Sequence, residues 1–342
     1  MCAKPIKDLT TEEEKRALEL YRKAVVIECL TYIPVLHNLE YLEELRKAGV
    51  TANHITVTET NATPREAFST ISVWHEISKK TACRFAYTAE DIVQAKKEGQ
   101  VCIIMGSQNA RMLDDDLGLI RIFHRLGLRI IQLAYTGQNY IASGGEDVDG
   151  GLSLFGRKVV EEMNRVGILV DISHCGDKTV MDAIKYSEKP VAITHANPRR
   201  LVNHHRNKTD EQIQALAEKG GVIGLTAWAP ISTVKEGVRP TLEDFLDFID
   251  YVVKLVGPEH VGFGIDLTPN WDYNPADYEK WAKLYPNLAA ESFEERLVEG
   301  LNHASKIKNI SRGLVARNYR DEDILRILGG NFLELFRKTW AC

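Results

Sequence analysis

The chain has 342 residues, 44% of them hydrophobic and 27% charged, with a formal net charge of −5. These values are typical of a soluble globular protein, and without a dense Lys/Arg block they give no reason to expect a nucleic-acid partner. Six scattered cysteines with no CxxC pair favour reduced thiols in the cytoplasm. Because the chain starts without the apolar segment of a secretory signal, and no apolar run approaches the roughly 20 residues that span a bilayer, we expect no membrane partner.

Apolar runs rich in β-branched residues alternate with helical patterns along the chain. The predicted strands are 24–30, 50–58, 101–105, 128–134, 168–170, 191–193, 221–226 and 260–266. Predicted helices include an N-terminal helix over 10–23, the segments between the strands, and a helical tail over 285–342 with helices near 292–306 and 321–338.

Most of these runs are apolar on both faces, which is typical of a parallel sheet covered by helices on both sides. Eight βα units favour a closed (β/α)8 TIM barrel over an open, doubly wound sheet. No glycine follows the first strand, where a dinucleotide-binding fingerprint would need one. We therefore predict an α/β fold in which residues 1–342 form a single barrel domain.

Two histidines occupy matching positions in consecutive units of this barrel. The runs 168–170 and 191–193 are each followed by polar residues and then a histidine, His174 and His195, and the helical segment 178–186 lies between them. Ligands bind at the carboxyl ends of parallel strands, so two imidazoles placed there can meet over one metal ion. Two separate structural histidines are the alternative, but the repeated placement favours a shared polar site.

Other polar side chains are predicted at the same end of the barrel. Tyr32 follows the first strand, Gln108 the third, Tyr135 the fourth and Asp266 the eighth, and Arg206 lies in the loop after the sixth strand. A zinc-type ion held by two histidines and Asp266 would keep one position open for a water. The fork of Arg206 suits a substrate carboxylate, although a solvated loop residue is the alternative. For Asp266 the alternative is a helix N-cap.

Four stretches of this sequence together resemble the membrane (renal-type) dipeptidase family, the M19 metallopeptidases. They are LSLFG at 152–156 with VVEEMNRVG at 159–167, DISH at 171–174, ITHA at 193–196 and LGGNFL at 328–333. The resemblance implies an amidohydrolase-like barrel with a binuclear zinc site that hydrolyses dipeptides, and it implies a homodimer. It also implies that His174 and His195 hold the second ion, that Arg206 binds the substrate carboxylate and that Asp266 handles the proton.

The chain departs from the family pattern at the first ion. The expected HxD pair falls on Leu30 and Tyr32, of which leucine has no donor atom and a neutral phenol is a poor ligand. The bridging glutamate falls on Gln108, whose neutral amide bridges two cations poorly, and the histidine expected after the fourth strand falls on Tyr135. A binuclear site is therefore not expected. Cys29 and His37 lie close to the missing pair in sequence, and Glu28 should lie one layer deeper in the barrel.

These residues predict a divergent dipeptidase-like hydrolase that cleaves an amide or related bond of a small carboxylate-bearing substrate with at most one divalent ion, zinc first. The predicted metal ligands are His174, His195, Gln108 and Asp266, the predicted catalytic residues are Asp266, Tyr135 and Tyr32, and the predicted substrate-binding residues are Arg206 and Tyr135. One alternative is a metal-free lyase or isomerase that uses His174 and His195 as acid and base. The other is a non-catalytic protein that binds small molecules.

Overall fold

The structure is a computed structural model that describes residues 5–32, 38–81 and 83–340. Its strands are β1 Ile27–Tyr32, β2 Ala52–Thr56, β3 Cys83–Phe85, β4 Val101–Ser107, β5 Leu128–Gln132, β6 Leu169–Asp171, β7 Ala192–Ile193, β8 Val222–Leu225 and β9 Val261–Phe263. Its α-helices are α1 Thr11–Lys23, α2 Asn38–Ala48, α3 Pro64–Ser78, α4 Ala89–Glu98, α5 Gly118–Arg125, α6 Leu154–Val166, α7 Asp177–Tyr186, α8 Asp210–Glu218, α9 Leu242–Val256, α10 Pro269–Tyr273, α11 Pro275–Leu284, α12 Lys308–Ala316, α13 Asp321–Leu325 and α14 Asn331–Trp340.

Eight parallel strands form the barrel in the order β1-β2-β4-β5-β6-β7-β8-β9. The first and last strands meet through two backbone hydrogen bonds of 3.1 Å, from Asp266 N to Leu30 O and from Tyr32 N to Leu267 O. The eight barrel strands correspond to the eight runs read from the sequence, so the predicted (β/α)8 TIM barrel is confirmed. None of the helices in the described ranges is both long enough and apolar enough to cross a bilayer.

Three elements differ from the prediction. The strand β3, Cys83–Phe85, pairs with the first three residues of β4. It was not predicted because three residues are too short for a periodic pattern. The predicted helix over 292–306 is wrong, since only a 3₁₀ turn at Ala304–Lys306 forms there. The aromatic-rich stretch after β9 instead forms α10 and α11.

The C-terminal helix is also interrupted where one continuous helix was predicted. A π-helical turn, Arg326–Gly330, separates α13 from α14, and within it Gly329 has a φ of +156°. A Cβ at Gly329 would lie 2.2 Å from Val25 O, so only glycine lets this turn pack against the start of β1. The side chain of Asn331 donates to the carbonyls of Pro258 and Val261, each at 2.7 Å. The GGNF motif therefore fastens the last helix across the ends of β1 and β9.

A second motif of the resemblance is structural as well. The Asn164 Oδ1 of α6 accepts hydrogen bonds from Ser187 Oγ and from the backbone N–H groups of Glu188 and Lys189, at 2.7 to 3.0 Å. These three bonds fix the loop between α7 and β7. The motif thereby sets where β7, and the histidine that follows it, enters the barrel.

Candidate active site

The two predicted histidines meet at the carboxyl end of the barrel. His174 follows β6 and His195 follows β7, and their Nε2 atoms lie 2.9 Å apart, which is a hydrogen-bond distance. Both side chains are buried. One of the two nitrogens must therefore carry the proton that joins the rings.

A chain of hydrogen bonds from the buried Asp171 sets the tautomer of the pair. Thr194 Oγ1 donates to Asp171 Oδ2 at 2.7 Å and lies 2.8 Å from His195 Nδ1. Because the single hydroxyl proton points to the aspartate, His195 Nδ1 is the donor to Thr194. His195 Nε2 is then the acceptor, and His174 Nε2 carries the shared proton. These hydrogen bonds orient His195 and, through it, His174. They start from Asp171 and Thr194, which were not predicted as site residues.

His174 is held on its other side by a ring contact. The ring of Tyr135 stacks on it with centroids 4.1 Å apart and planes 25° from parallel. His174 Nδ1 is buried and has no hydrogen-bond partner among the described residues. Burial and the nearby Arg206 guanidinium hold the pKa of both His174 and His195 well below the usual value. Both rings are therefore neutral at pH 7.

Arg206 reaches the back of the histidine pair from the loop after β7. Its Nη1 donates to Ser173 O and its Nη2 to His195 O, the latter at 2.7 Å. Three N–H groups of the guanidinium remain, and Nε has no acceptor in the described part of the chain. Arg206 is only 3% exposed yet lines the cavity described below, so it is a built-in positive charge and not a solvated loop residue.

Asp266 faces Arg206 across the site in an unusual backbone conformation. Its φ is +66°, a left-handed value that non-glycine residues seldom adopt. Burial raises the pKa of its carboxyl to about 7, and the charge of Arg206 opposes that rise. Strain at one polar residue beside a cavity is a common feature of functional sites. No helix begins at Asp266 in the structure, so the N-cap alternative does not apply.

A buried glutamate, Glu28, supports the backbone beside Asp266 from the interior of the barrel. Glu28 Oε1 accepts from Ile265 N at 2.6 Å, which connects β1 to the residue before Asp266. Its Oε2 accepts from Leu30 N, Thr31 Oγ1 and Asn53 Nδ2. Burial raises the pKa of Glu28 to about 8, and these hydrogen bonds limit the rise.

The residues that stand in place of the family's ligands for the first ion have other properties. The Leu30 side chain is fully buried, and Gln108 is buried and lines the cavity. Tyr32 donates its hydroxyl to both carboxylate oxygens of Glu59, at 2.9 and 3.1 Å. Burial and that carboxylate raise the pKa of Tyr32, so it stays a neutral donor. Cys29 is buried at 0% exposure, and His37 lies outside the described residues.

A cavity of about 400 Å³ connects these groups. The predicted residues on its surface are Tyr32, Gln108, Tyr135, His174, Arg206 and Asp266. His195 is the one predicted site residue that does not line it; it lies behind His174. Another part of the cavity surface consists of aromatic side chains that follow β8, and they were not predicted as site residues: Trp228, Trp271, Trp281 and Tyr285. We call these four residues the aromatic wall.

The donor atoms do not fit the two-ion site that the resemblance implies. No carboxylate replaces the neutral Gln108, and Leu30 and Tyr32 supply no ligand pair. Within the described ranges, no three His, Cys, Asp or Glu side chains converge closely enough to hold an ion. The Nε2 atoms of His174 and His195 lie 2.9 Å apart, so both could reach one ion if the rings turned toward a common point. An ion there would have to displace the proton between them.

The sequence matches the profile described as membrane dipeptidase, peptidase family M19, over residues 41–298. The chain belongs to this family. Among curated members, dipeptidase tcpJ of Claviceps purpurea is 29% identical over 284 residues, which cover 82% of this chain and 61% of that protein. The uncharacterized dipeptidase C965.12 of Schizosaccharomyces pombe is 27% identical over 276 residues, covering 77% and 61%. The chain spans about three fifths of the length of these M19 relatives.

Solved structures of other proteins share the whole barrel. An amidohydrolase from Pseudomonas aeruginosa superposes with a TM-score of 0.86 at 32% identity, over 95% of this chain and 99% of that one. A metallopeptidase from Rhodobacter sphaeroides, liganded with a phosphinate mimic of L-Ala-D-Ala, superposes with a TM-score of 0.77 at 19% identity, over 93% and 99%. The second likeness supports the fold alone.

Proposed function

We propose that this M19 protein hydrolyses the amide bond of a small, carboxylate-bearing substrate of the dipeptide class. The observation that carries the proposal is the placement of His174, Asp266 and Arg206 on one cavity, with a buried positive charge opposite a carboxyl whose pKa is about 7. A group with that pKa exchanges protons readily near neutral pH, which is what amide hydrolysis demands.

Each polar group of the cavity would act on a different part of the substrate. The three free N–H groups of Arg206 would bind the carboxylate, and the guanidinium is already fixed by Ser173 and His195 carbonyls. Asp266 would take the proton of the attacking water. Tyr135, a neutral phenol stacked on His174, would donate to the oxygen that becomes negative in the transition state. Tyr32 would serve as a further donor, but its proton is engaged by Glu59.

The proposal includes at most one divalent ion, zinc first, held by His174 and by His195 behind it, with Gln108 and Asp266 as further ligands from the cavity surface. When bound, such an ion lowers the pKa of a water and polarises a carbonyl. The chain's own contribution is the fixed orientation of His195, set by Thr194 and Asp171. A second-sphere contact of this kind typically fixes which imidazole nitrogen is free to bind a metal.

A metal-free acid–base reaction is the second candidate, and one observation favours it. The direct hydrogen bond between His174 and His195 already pairs a donor nitrogen with an acceptor nitrogen. Two neutral imidazoles joined in this way can pass a proton along the Asp171–Thr194 chain. A lyase or isomerase would use that transfer without water attack.

Elemental analysis of the purified full chain separates the two candidates. We expect about one zinc, manganese or iron per chain, absent from His195→Ala and retained in His303→Ala, whose half-exposed ring lies outside the cavity. The same preparations should hydrolyse dipeptides only when the ion is present. Two ions per chain would contradict the single-ion proposal. A folded, active protein that contains no metal ion would support the metal-free acid–base reaction instead.

A further inference from the structure

One end of the cavity holds a cation, Arg206, which faces the carboxyl of Asp266, whereas the other end holds carboxylates and, in the part of the chain that the structure describes, no lining cation. Arg206 is the only Lys or Arg among the described residues that line it. At the mouth stand Glu59 and Asp277, two carboxylates of which only Asp277 has a basic partner, the exposed Lys280 at 3.1 Å. Glu59 contacts the Tyr32 hydroxyl and has no cationic partner in the described part of the chain. A ligand that spans the cavity therefore meets opposite charges at its two ends.

Aromatic rings occupy the space between these ends. Trp271 lies 5.0 Å from Trp281 and 6.0 Å from Trp228, centroid to centroid, and Trp281 lies 5.6 Å from Tyr285. The wall is held in place because Trp228 Nε1 donates to Leu288 O at 2.8 Å. Ring faces and carboxylates together attract organic cations, whereas a neutral ligand gains only the ring contact.

Glu59 is connected to the aromatic wall through its hydrogen-bond partner Tyr32 and its chain neighbour Thr60. The Tyr32 ring to which it is hydrogen-bonded lies 5.9 Å from the Trp271 ring. Its chain neighbour Thr60 places Oγ1 3.4 Å from the hydroxyl of Tyr285. The Glu59 carboxylate, which has no cationic partner in the described part of the chain, is thus linked to the wall through Tyr32, while the buried Arg206 is at the floor.

We propose that the wall and Glu59 form a subsite for a cationic side chain, an ammonium or guanidinium, on the acyl side of the substrate. This inference rests on the proposed function, because the carboxylate end at Arg206 fixes which half of a dipeptide reaches the mouth. The substrates would then be dipeptides or related amides whose first residue carries a basic side chain.

Binding of two non-hydrolysable probes tests the subsite apart from catalysis. The probes are the ketomethylene analogues of lysyl-alanine and norleucyl-alanine, which share the α-ammonium and a four-carbon side chain and differ in the terminal ammonium. By titration calorimetry we expect the lysyl probe to bind ~10-fold more tightly to the wild-type protein. In Glu59→Gln the preference should fall to about twofold or less, and in Glu279→Gln, which removes an exposed carboxylate outside the cavity, it should remain.

Equal affinity for the two probes, a preference that survives in Glu59→Gln, or binding of neither probe would each overturn the subsite. Hydrolysis of the parent dipeptides is measured separately. A lysyl preference without hydrolysis would keep the subsite and refute the proposed function. Hydrolysis of both dipeptides at equal efficiency, with equal probe affinities, would support the proposed function and refute the subsite.

Discussion

His174 and His195 lie at the ends of successive strands, and 2.9 Å separates their Nε2 atoms. The proton between them is placed by Thr194, whose hydroxyl links His195 to the buried Asp171. The tautomer of His174, the ring that lines the cavity, is therefore set by Asp171 through Thr194 and His195.

The first prediction concerns that link. Thr194→Val removes the hydroxyl while keeping the branched shape, and it should lower kcat ~10- to 100-fold because His195 Nδ1 loses its fixed acceptor. The free energy of unfolding should fall by about 1–3 kcal/mol, since buried polar groups lose a partner. Thr194→Ser retains the hydroxyl and serves as the control. Nitrogen NMR of the imidazoles should show a mixture of tautomers only in the valine variant; an unchanged spectrum would refute the relay.

Arg206 is predicted to matter for both stability and substrate affinity. Arg206→Met removes the donors to Ser173 O and His195 O together with the buried charge, so we expect a loss of about 3 kcal/mol in the free energy of unfolding. Arg206→Lys keeps the charge without the fork and should raise KM by about tenfold or more. Arg200→Met, in the same loop but exposed, should leave both quantities unchanged. A normal KM in the lysine variant would contradict carboxylate binding.

Glu28 should make stability depend on pH. Its pKa is raised to about 8 in the folded protein, so between about pH 4.5 and 8 the folded state binds more protons than the unfolded state. Its contribution to the unfolding free energy is therefore fully present below that window and lost as the pH rises through it. The difference in unfolding free energy between wild type and Glu28→Gln should fall from pH 5 to pH 7 in urea titrations. A difference that rises over this interval would show a lowered pKa instead.

A glycine in β4 makes room for a histidine in the barrel interior. A Cβ at Gly106 would lie 2.0 Å from His54 Nε2, and His54 Nδ1 is hydrogen-bonded to Cys29 O at 2.7 Å. Gly106→Ala should therefore cost about 1–3 kcal/mol of unfolding free energy. Gly137→Ala, where nothing lies within 4 Å, is the matched control. Adding His54→Ala should recover part of the loss; purely additive effects would argue that the two residues do not compete for space.

The missing first ion leads to a gain-of-binding prediction. Leu30→His, Tyr32→Asp and Gln108→Glu together would restore the family's ligand types, and elemental analysis should then find about two ions per chain. The double variant that keeps Gln108 should stay near one ion because no carboxylate bridges the pair. A triple variant that still binds one or none would show that the cavity itself, and not these three residues, prevents the second ion.

Much of the scaffold could be predicted from the sequence, because apolar runs and helical spacing report burial directly. The positions of His174 and His195 followed from strand ends alone, since neighbouring parallel strands bring their carboxyl ends together. The predicted helix over 292–306 failed because the backbone there pairs at Leu297 with Trp228 and at Glu299 with Thr241, and this extended arrangement buries Leu297 and Val298. Tertiary contacts override local preference in such segments.

The site was only partly predictable for a different reason. Tyr32, Glu59 and Trp281 lie far apart in sequence, and no spacing rule shows that they share a cavity. The orientation of Arg206 could not be predicted either, because two backbone carbonyls hold its guanidinium. Every residue has a backbone carbonyl, so the sequence does not indicate which ones bind an arginine. The roles assigned to these residues, and the expected homodimer, remain predictions.

The bond between Glu28 and Ile265 joins residues 237 positions apart, the first strand to the last. On the ribosome, a chain that has emerged only through β8 already holds its histidines and Arg206, but Asp266, Trp271 and Trp281 are still unmade. Contacts of such large sequence separation form late, because closing the intervening loop must precede them. We therefore expect the proposed activity to be absent from the nascent protein, so that its onset during refolding reports the closure of the barrel.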